Sequence, residues 1–179
     1  VTVTIVGTPS SPDVYTTLLT ANNGGEEYMY MYMNSSFPSI GSFAKSEPSL
    51  VRVVGQPHVT LFGLTLSGVK NANDGAVSLL DGAALDMDRC VVTKNQASAI
   101  YAKNADVKVT NSEFSLNFTG VGSVFNLSDS KLEVSTSTIY ENFSNDTFCV
   151  DGGSKGAVAY LNSSSAVFVN NTIVKNRAS

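Results

Sequence analysis

The sequence predicts an all-β solenoid, a chain wound into about five stacked coils of three short strands each. Three observations predict it. From Val59 onward an alternating apolar pair is followed seven residues later by another apolar residue, and this happens five times. The sets are Val59/Leu61 with Leu66, Leu85/Met87 with Val92, Val107/Val109 with Phe114, Leu132/Val134 with Ile139, and Ala166/Phe168 with Ile173. A third apolar position precedes each pair by seven or eight residues, at Val51, Val77, Ile100, Val124 and Val158. Successive pairs are 26, 22, 25 and 34 residues apart, inside the period of roughly 20 to 50 residues that marks stacked repeats.

Coils of this length with three strands and polar turns suit a parallel β-helix, in which like strands of successive coils lie about 4.8 Å apart and their inward side chains stack. The strands are rich in Val, Thr, Ser, Phe and Ile, and Asn, Asp, Gly and Ser punctuate them, which is strand-and-turn chemistry. A propeller blade needs four antiparallel strands in about 40 residues, and a leucine-rich repeat needs a helical half. Neither pattern is present.

The N-terminal third follows the same alternation less regularly. Val1 to Val6 reads as a strand ending at Gly7-Thr8-Pro9. A polar stretch, Ser10 to Gly25, is expected to hold a short helical turn around Val14 to Leu19. In Glu26 to Phe37, Tyr28, Tyr30 and Tyr32 share one face of a strand, and Met29, Met31 and Met33 share the other. A strand with one side in water alternates apolar with polar, so this one is expected between the core and something else. It either caps the first coil beneath the polar loop Ser35 to Ser49, or its Tyr face is buried by a neighbouring subunit, since Tyr and Met are enriched at interfaces. Residues 1–48 therefore read as a capping or assembly segment and 49–179 as the β-helix.

Asn95, Asn117, Asn142 and Asn176 each stand three places after an anchor residue. Asn tolerates the left-handed backbone, and its amide can bond backbone groups or the Asn stacked above and below. These four are expected to form a ladder that starts only at the second coil, because Val69 holds the equivalent place in the first.

The Phe-x-x-Asn of Phe114 to Asn117, its variants at the other anchors, and Gly-Ala-Val at Gly75 to Val77 and Gly156 to Val158 resemble the paired short motifs of chlamydial polymorphic outer-membrane proteins. More broadly they resemble right-handed parallel β-helix repeats of the pectin-lyase-like superfamily and of autotransporter passengers. The resemblance spans roughly residues 49 to 179 and implies a right-handed helix in a secreted or cell-surface adhesive or structural part.

That superfamily includes polysaccharide hydrolases and lyases, so the resemblance raises the question of catalytic sets. The Gly-His-Gly, the Arg-x-Lys and the clustered Asp of those enzymes are not in the sequence. Glycoside hydrolysis needs two positioned carboxylates. The nearest approach is Asp81, Asp86 and Asp88, of which Asp86 and Asp88 alternate with Leu85 and Met87 and are expected to face outward. The single histidine, His58, follows Gln56-Pro57 at a corner and reads as a turn residue. No catalytic residue, metal site or cofactor is expected.

A net charge of −4 with 11 scattered Lys and Arg argues against nucleic acid, because phosphate binding needs clustered cations. No apolar stretch approaches 18 residues, so no membrane-spanning helix is expected. A chain opening at Val1 is expected to be processed or a fragment. Cys90 shares the alternation of Val92 and should point inward; a disulfide to Cys149 needs the long connection before Val158 to fold back over about two coils. Asn-x-Ser/Thr sequons begin at Asn34, Asn117, Asn126, Asn142, Asn145, Asn162 and Asn170. Asn34, Asn126, Asn145, Asn162 and Asn170 are the candidate N-glycan acceptors, since Asn117 and Asn142 belong to the ladder.

A β-helix leaves unpaired backbone groups at both ends. The chain stops soon after Ile173, so its last coil is expected to lack a third strand. Stacking of the first strand, with Val1, Val3 and Ile5, on the last coil of another copy would build a filament. The sequence thus points to a non-enzymatic extracellular structural or adhesive module, a homo-oligomer or filament joined through its ends, with Tyr28, Tyr30 and Tyr32 as further interface residues. Alternatives are a carbohydrate-binding surface with Tyr101 and Phe125 outward, and a polysaccharide-active enzyme.

Overall fold

Alternation sends two residues of each sheet A strand and one anchor of each sheet C strand inward, and the corners keep this pattern in step from coil to coil. The computed structural model describes residues 2–6, 19–22, 26–31, 49–145 and 156–179. Three long parallel sheets result, each with one strand from every one of five coils. Sheet B holds Val51–Val54, Lys70–Leu80, Gln96–Lys103, Phe125–Ser128 and Ala159–Asn162. Sheet A holds His58–Phe62, Ala84–Asp88, Asp106–Thr110, Lys131–Ser135 and Ser165–Val169. Sheet C holds Thr65–Ser67, Val91–Thr93, Glu113–Ser115, Thr138–Tyr140 and Thr172–Val174. A fourth, short sheet D joins Phe118–Thr119, Phe143–Ser144 and Arg177–Ala178.

Residues one coil apart pair directly, so the core is a set of columns. Sheet A stacks Leu61, Met87, Val109, Val134 and Phe168. Sheet C stacks Leu66, Val92, Phe114, Ile139 and Ile173. Phe114 and Ile139 are paired neighbours, both fully buried. Large residues are offset by small ones: Phe125 lies against Phe114 with ring centroids 5.0 Å apart, while Ala159 takes the next place in the column of Phe125. Fully burying a side chain of this size stabilises by up to about 3 kcal/mol.

One column differs from the sequence expectation. In sheet B the partners of Ile100 are Val77 and Phe125, and Ala159 follows Phe125, so the column passes through Phe125 and Ala159 rather than Val124 and Val158. An offset of eight before the sheet A pair, which holds at Val51 and Val77, misled by one residue at Val124 and Val158, where the offset is seven. Gly122 and Gly156 hold the same place, three residues before the column, with φ of 54° and 69° and no room for a Cβ beneath the Phe125 and Ala159 carbonyls. Gly75 stands only two residues before its column residue, Val77.

The last coil also differs: it is complete, with a strand in all four sheets. The missing third strand came from counting the coil from Ala166, whereas it begins at Ala159.

Two sheets grow past the first coil. Strand β1 (Thr2–Val6) adds to sheet A parallel to His58–Phe62, so Val3 and Ile5 take the register of Val59 and Leu61. Strands β2 (Leu19–Asn22) and β3 (Glu26–Met31) form an antiparallel hairpin whose β3 pairs with Val51–Val54. This places Met29 and Met31 in register with the inward Val53 and Val51, and Tyr28 and Tyr30 in register with Val54 and Arg52. Leu19 opens a strand rather than closing the expected helical turn, whose other residues lie outside the described set. Among the described residues no helix is long and apolar enough to cross a membrane.

Candidate functional site

The corners share one backbone device. Among the described residues twelve that are not glycine have φ between 48° and 59°, and they occupy the three corners of coils two to five: Asp81, Asn104, Asp129 and Ser163; Arg89, Asn111, Thr136 and Asn170; Lys94, Leu116, Glu141 and Lys175. In the first coil glycine takes these places, at Gly55, Gly63 and Gly68. The left-handed residue is thus the one before the ladder Asn, not the Asn itself. It turns the chain sharply enough for the next residue to point inward, except after Gly55 and Asp81, where Gln56 and Gly82 intervene and Pro57 and Ala83 are the buried residues.

That next residue carries an oxygen in most corners, and the oxygen is used between coils. Asn95, Asn117 and Asn142 each donate Nδ2–H to the Oδ1 of the Asn one coil later, at 2.9, 3.0 and 2.9 Å. Their backbone N–H groups donate to the same oxygens, and Val69 N–H opens the series by donating to Asn95 Oδ1 at 3.1 Å. The ladder therefore begins at the second coil, as Val69 led one to expect.

Two more ladders were not anticipated. At the corner from sheet A to sheet C, Cys90, Ser112 and Ser137 donate N–H to Ser112 Oγ, Ser137 Oγ and Asn171 Oδ1, at 3.1, 3.0 and 2.8 Å. At the corner from sheet B to sheet A, Ala105 and Ser130 donate to Ser130 Oγ and Ser164 Oγ, at 3.1 and 3.0 Å. Each of these serine hydroxyls donates in turn to the carbonyl two residues back. The readable signal was a small polar residue after each left-handed corner, in Asn111-Ser112, Asp129-Ser130, Thr136-Ser137 and Ser163-Ser164.

Outward polar groups are likewise tied between coils. His58 Nε2 lies 2.9 Å from Asp86 Oδ2, with both side chains about half exposed. Asp88 Oδ1 accepts from Asn111 Nδ2 at 2.8 Å and Thr110 Oγ1 at 2.9 Å. The Asn111 bond above all, helped by Thr110 and Arg89, holds the Asp88 carboxyl below the usual range against the opposing effect of burial. Tyr140 donates to Glu113 at 2.8 Å, which raises its phenol. An open polar groove follows the corner from sheet B to sheet A past Asn104, Asp106, Asp129, Lys131 and Ser164. Its side chains do not converge on a point.

Against this order one end stands out. In coils two to four the column residues are 0 to 3 % exposed, whereas in the fifth coil Leu161, Phe168 and Ile173 are 41, 36 and 44 % exposed. The outward positions change too. Val167 follows Lys108 and Glu133, and Val169 follows Thr110 and Ser135. Val174 follows Ser115 and Tyr140.

A model of the right-handed beta helix region matches residues 49–179. The chain belongs to the right-handed β-helix family. No curated protein and no solved structure matches it. Within this β-helix the residues singled out from the sequence are dispersed. Val3 and Ile5 form a strand in their own sheet A, while Val1, Tyr32, Asn34 and Cys149 lie outside the described residues. Cys90 is a free, buried thiol near the Leu61 and Asp88 carbonyls, and burial pushes its pKa up. Asn126, Asn145, Asn162 and Asn170 are half-buried or exposed, whereas Asn117 and Asn142 are buried in the ladder. Phe125, read as an outward partner of Tyr101, is fully buried. Tyr101 pairs with Asn126 instead, because the column runs through Phe125.

Proposed function

We propose that this β-helix is a non-enzymatic structural or adhesive rod of a secreted or cell-surface protein, and that copies of it associate into oligomers or filaments. One observation carries the reading: the ladders at the corners and the bonds across the outer face use the polar side chains to hold neighbouring coils together. The outward carboxylates support the same reading, because Asp86, Asp88, Glu113 and Glu141 each bond a neighbouring coil. A glycosidase would instead aim two of them across a cleft.

The reading includes the finer resemblance to polymorphic outer-membrane protein and autotransporter passenger repeats, and an extracellular setting in which Asn126, Asn145, Asn162 and Asn170 carry glycans. A carbohydrate-binding face is not favoured, since Phe125 lies in the core. Two measurements test the proposal. Sedimentation and negative-stain microscopy should show elongated particles that associate as concentration rises. A panel of surface polysaccharides should be neither cleaved nor eliminated; turnover of any of them, abolished by Asp86→Asn, would replace the structural reading with an enzymatic one.

A further inference from the structure

The outer face of sheet A uses its charges in two different ways. In the first two coils they are tied within the stack: His58 bonds Asp86, and Asp88 accepts from Asn111 and Thr110. In the third and fourth coils Asp106 and Lys108 stand in register with Lys131 and Glu133, so opposite charges alternate both along each strand and across the two strands. All four side chains are exposed. Yet among the described residues none of the four makes an ion pair or a side-chain hydrogen bond.

A square of two acids and two bases matches itself. A two-fold axis along the coil stack, between the column of Asp106 and the column of Lys108, sets Asp106 opposite Lys108 of a second copy and Lys131 opposite its Glu133. The same axis sets His58 opposite Thr60, Ala84 opposite Asp86, and Ser165 opposite Val167, so no like charges face each other. An axis along the strands also satisfies the square, but it lays Val167 over Asp86 and takes water from that carboxylate without replacing it. The match lies in the middle coils and owes nothing to either end of the stack.

The five coil strands of sheet A, each of five residues, give a face of roughly 24 Å by 16 Å. Two such faces cover roughly 800 Å² in all, an area of weak and reversible association in which complementary charge selects the partner.

We propose, resting on the assembly reading above, that copies of this chain associate through the outer face of sheet A, side by side with their coils in step, as a two-fold pair joined by Asp106, Lys108, Lys131 and Glu133. A two-fold contact closes on itself, so the oligomer built by this face is a pair of rods.

The test is sedimentation velocity of the whole chain over a concentration series, at low ionic strength and in about 0.5 M salt. The natural chain should pair at low ionic strength, and the salt should weaken pairing at least about tenfold. Lys108→Glu with Lys131→Glu makes the square acidic, and Asp106→Lys with Glu133→Lys makes it basic. Each of these variants alone should stay monomeric, and an equimolar mixture of the two should pair. Exchanging the charges of the third coil, by Asp106→Lys with Lys108→Asp, keeps opposite charges facing across the proposed axis and should leave pairing undiminished, whereas an axis along the strands would lose it.

A natural chain that stays monomeric, or a mixture no more associated than its two components, would overturn the proposal. So would loss of pairing on exchange within the third coil. Association that persists through both reversals would place the contact on another surface, overturning this one while the assembly reading stands. The structural reading fails separately, by polysaccharide turnover.

Discussion

The middle coils and the fifth coil use the same residue types in the same geometry, yet they bury them to very different degrees. Phe114 and Ile139 are fully buried, while Phe168 and Ile173, in equivalent columns, are 36 and 44 % exposed. Asn117 is bonded on both sides along the stack, whereas among the described residues Asn176 is bonded toward Asn142 and the Ile139 carbonyl alone. In a solenoid, stability is close to a sum of contacts between neighbouring repeats. A residue's contribution then depends on how many neighbours its coil has more than on its chemistry.

The largest test of that difference is the pair Phe114→Ala and Phe168→Ala. The first leaves a cavity in a closed column and should cost about 3–5 kcal/mol. The second removes a side chain open to water on one side and should cost about 1–2 kcal/mol. Urea unfolding followed by circular dichroism measures both, and equal costs would break the comparison.

Next comes the ladder. Asn117→Ala removes the acceptor of the Asn95 N–H groups and a donor to the Val92 carbonyl inside the stack, and a loss of about 2–4 kcal/mol is expected. Asn176→Ala removes the same groups where water can replace them and should cost under about 1 kcal/mol. A thermal shift series on the two variants gives the ratio directly.

A smaller effect belongs to the serine corners. Ser112→Ala removes the acceptor of the buried Cys90 amide and should cost about 1–2 kcal/mol. Ser164→Ala, whose hydroxyl serves a corner covered on one side only, should cost about half as much or less. Comparable losses would mean that the corners contribute independently of their place in the stack.

The smallest concerns the outer face. The folded pKa of Asp88 is depressed, so its contribution is complete above the unfolded carboxylate value of about 3.9 and is lost as pH falls through the lower folded value. The stability gap between the natural chain and Asp88→Asn should be under about 1 kcal/mol near neutrality and should close in acid below that range. A gap that widened on acidification would contradict the assigned cause.

Much of this was legible in the residues. The constant offset of seven between the sheet A pair and the sheet C anchor fixed two of the three faces, because strand alternation and a rigid corner leave no freedom between them. The start of the Asn ladder followed from Val69. The sheet B column was misjudged by one residue, since Val124 and Phe125 are both apolar and both buried, and only the pairing with Ile100 tells them apart. The serine ladders were missed because a serine after a turn has the same local signature whether it faces water or the next coil.

The sequence by itself determined the repeat, the parallel stack and the inward residues, for these depend on periodicity and on which side chains leave water. Only the tertiary structure decided the direction of the ladders and the left-handed residue before each Asn. Those depend on which way an amide points and on which coil lies above it, and neither property is carried by any one residue.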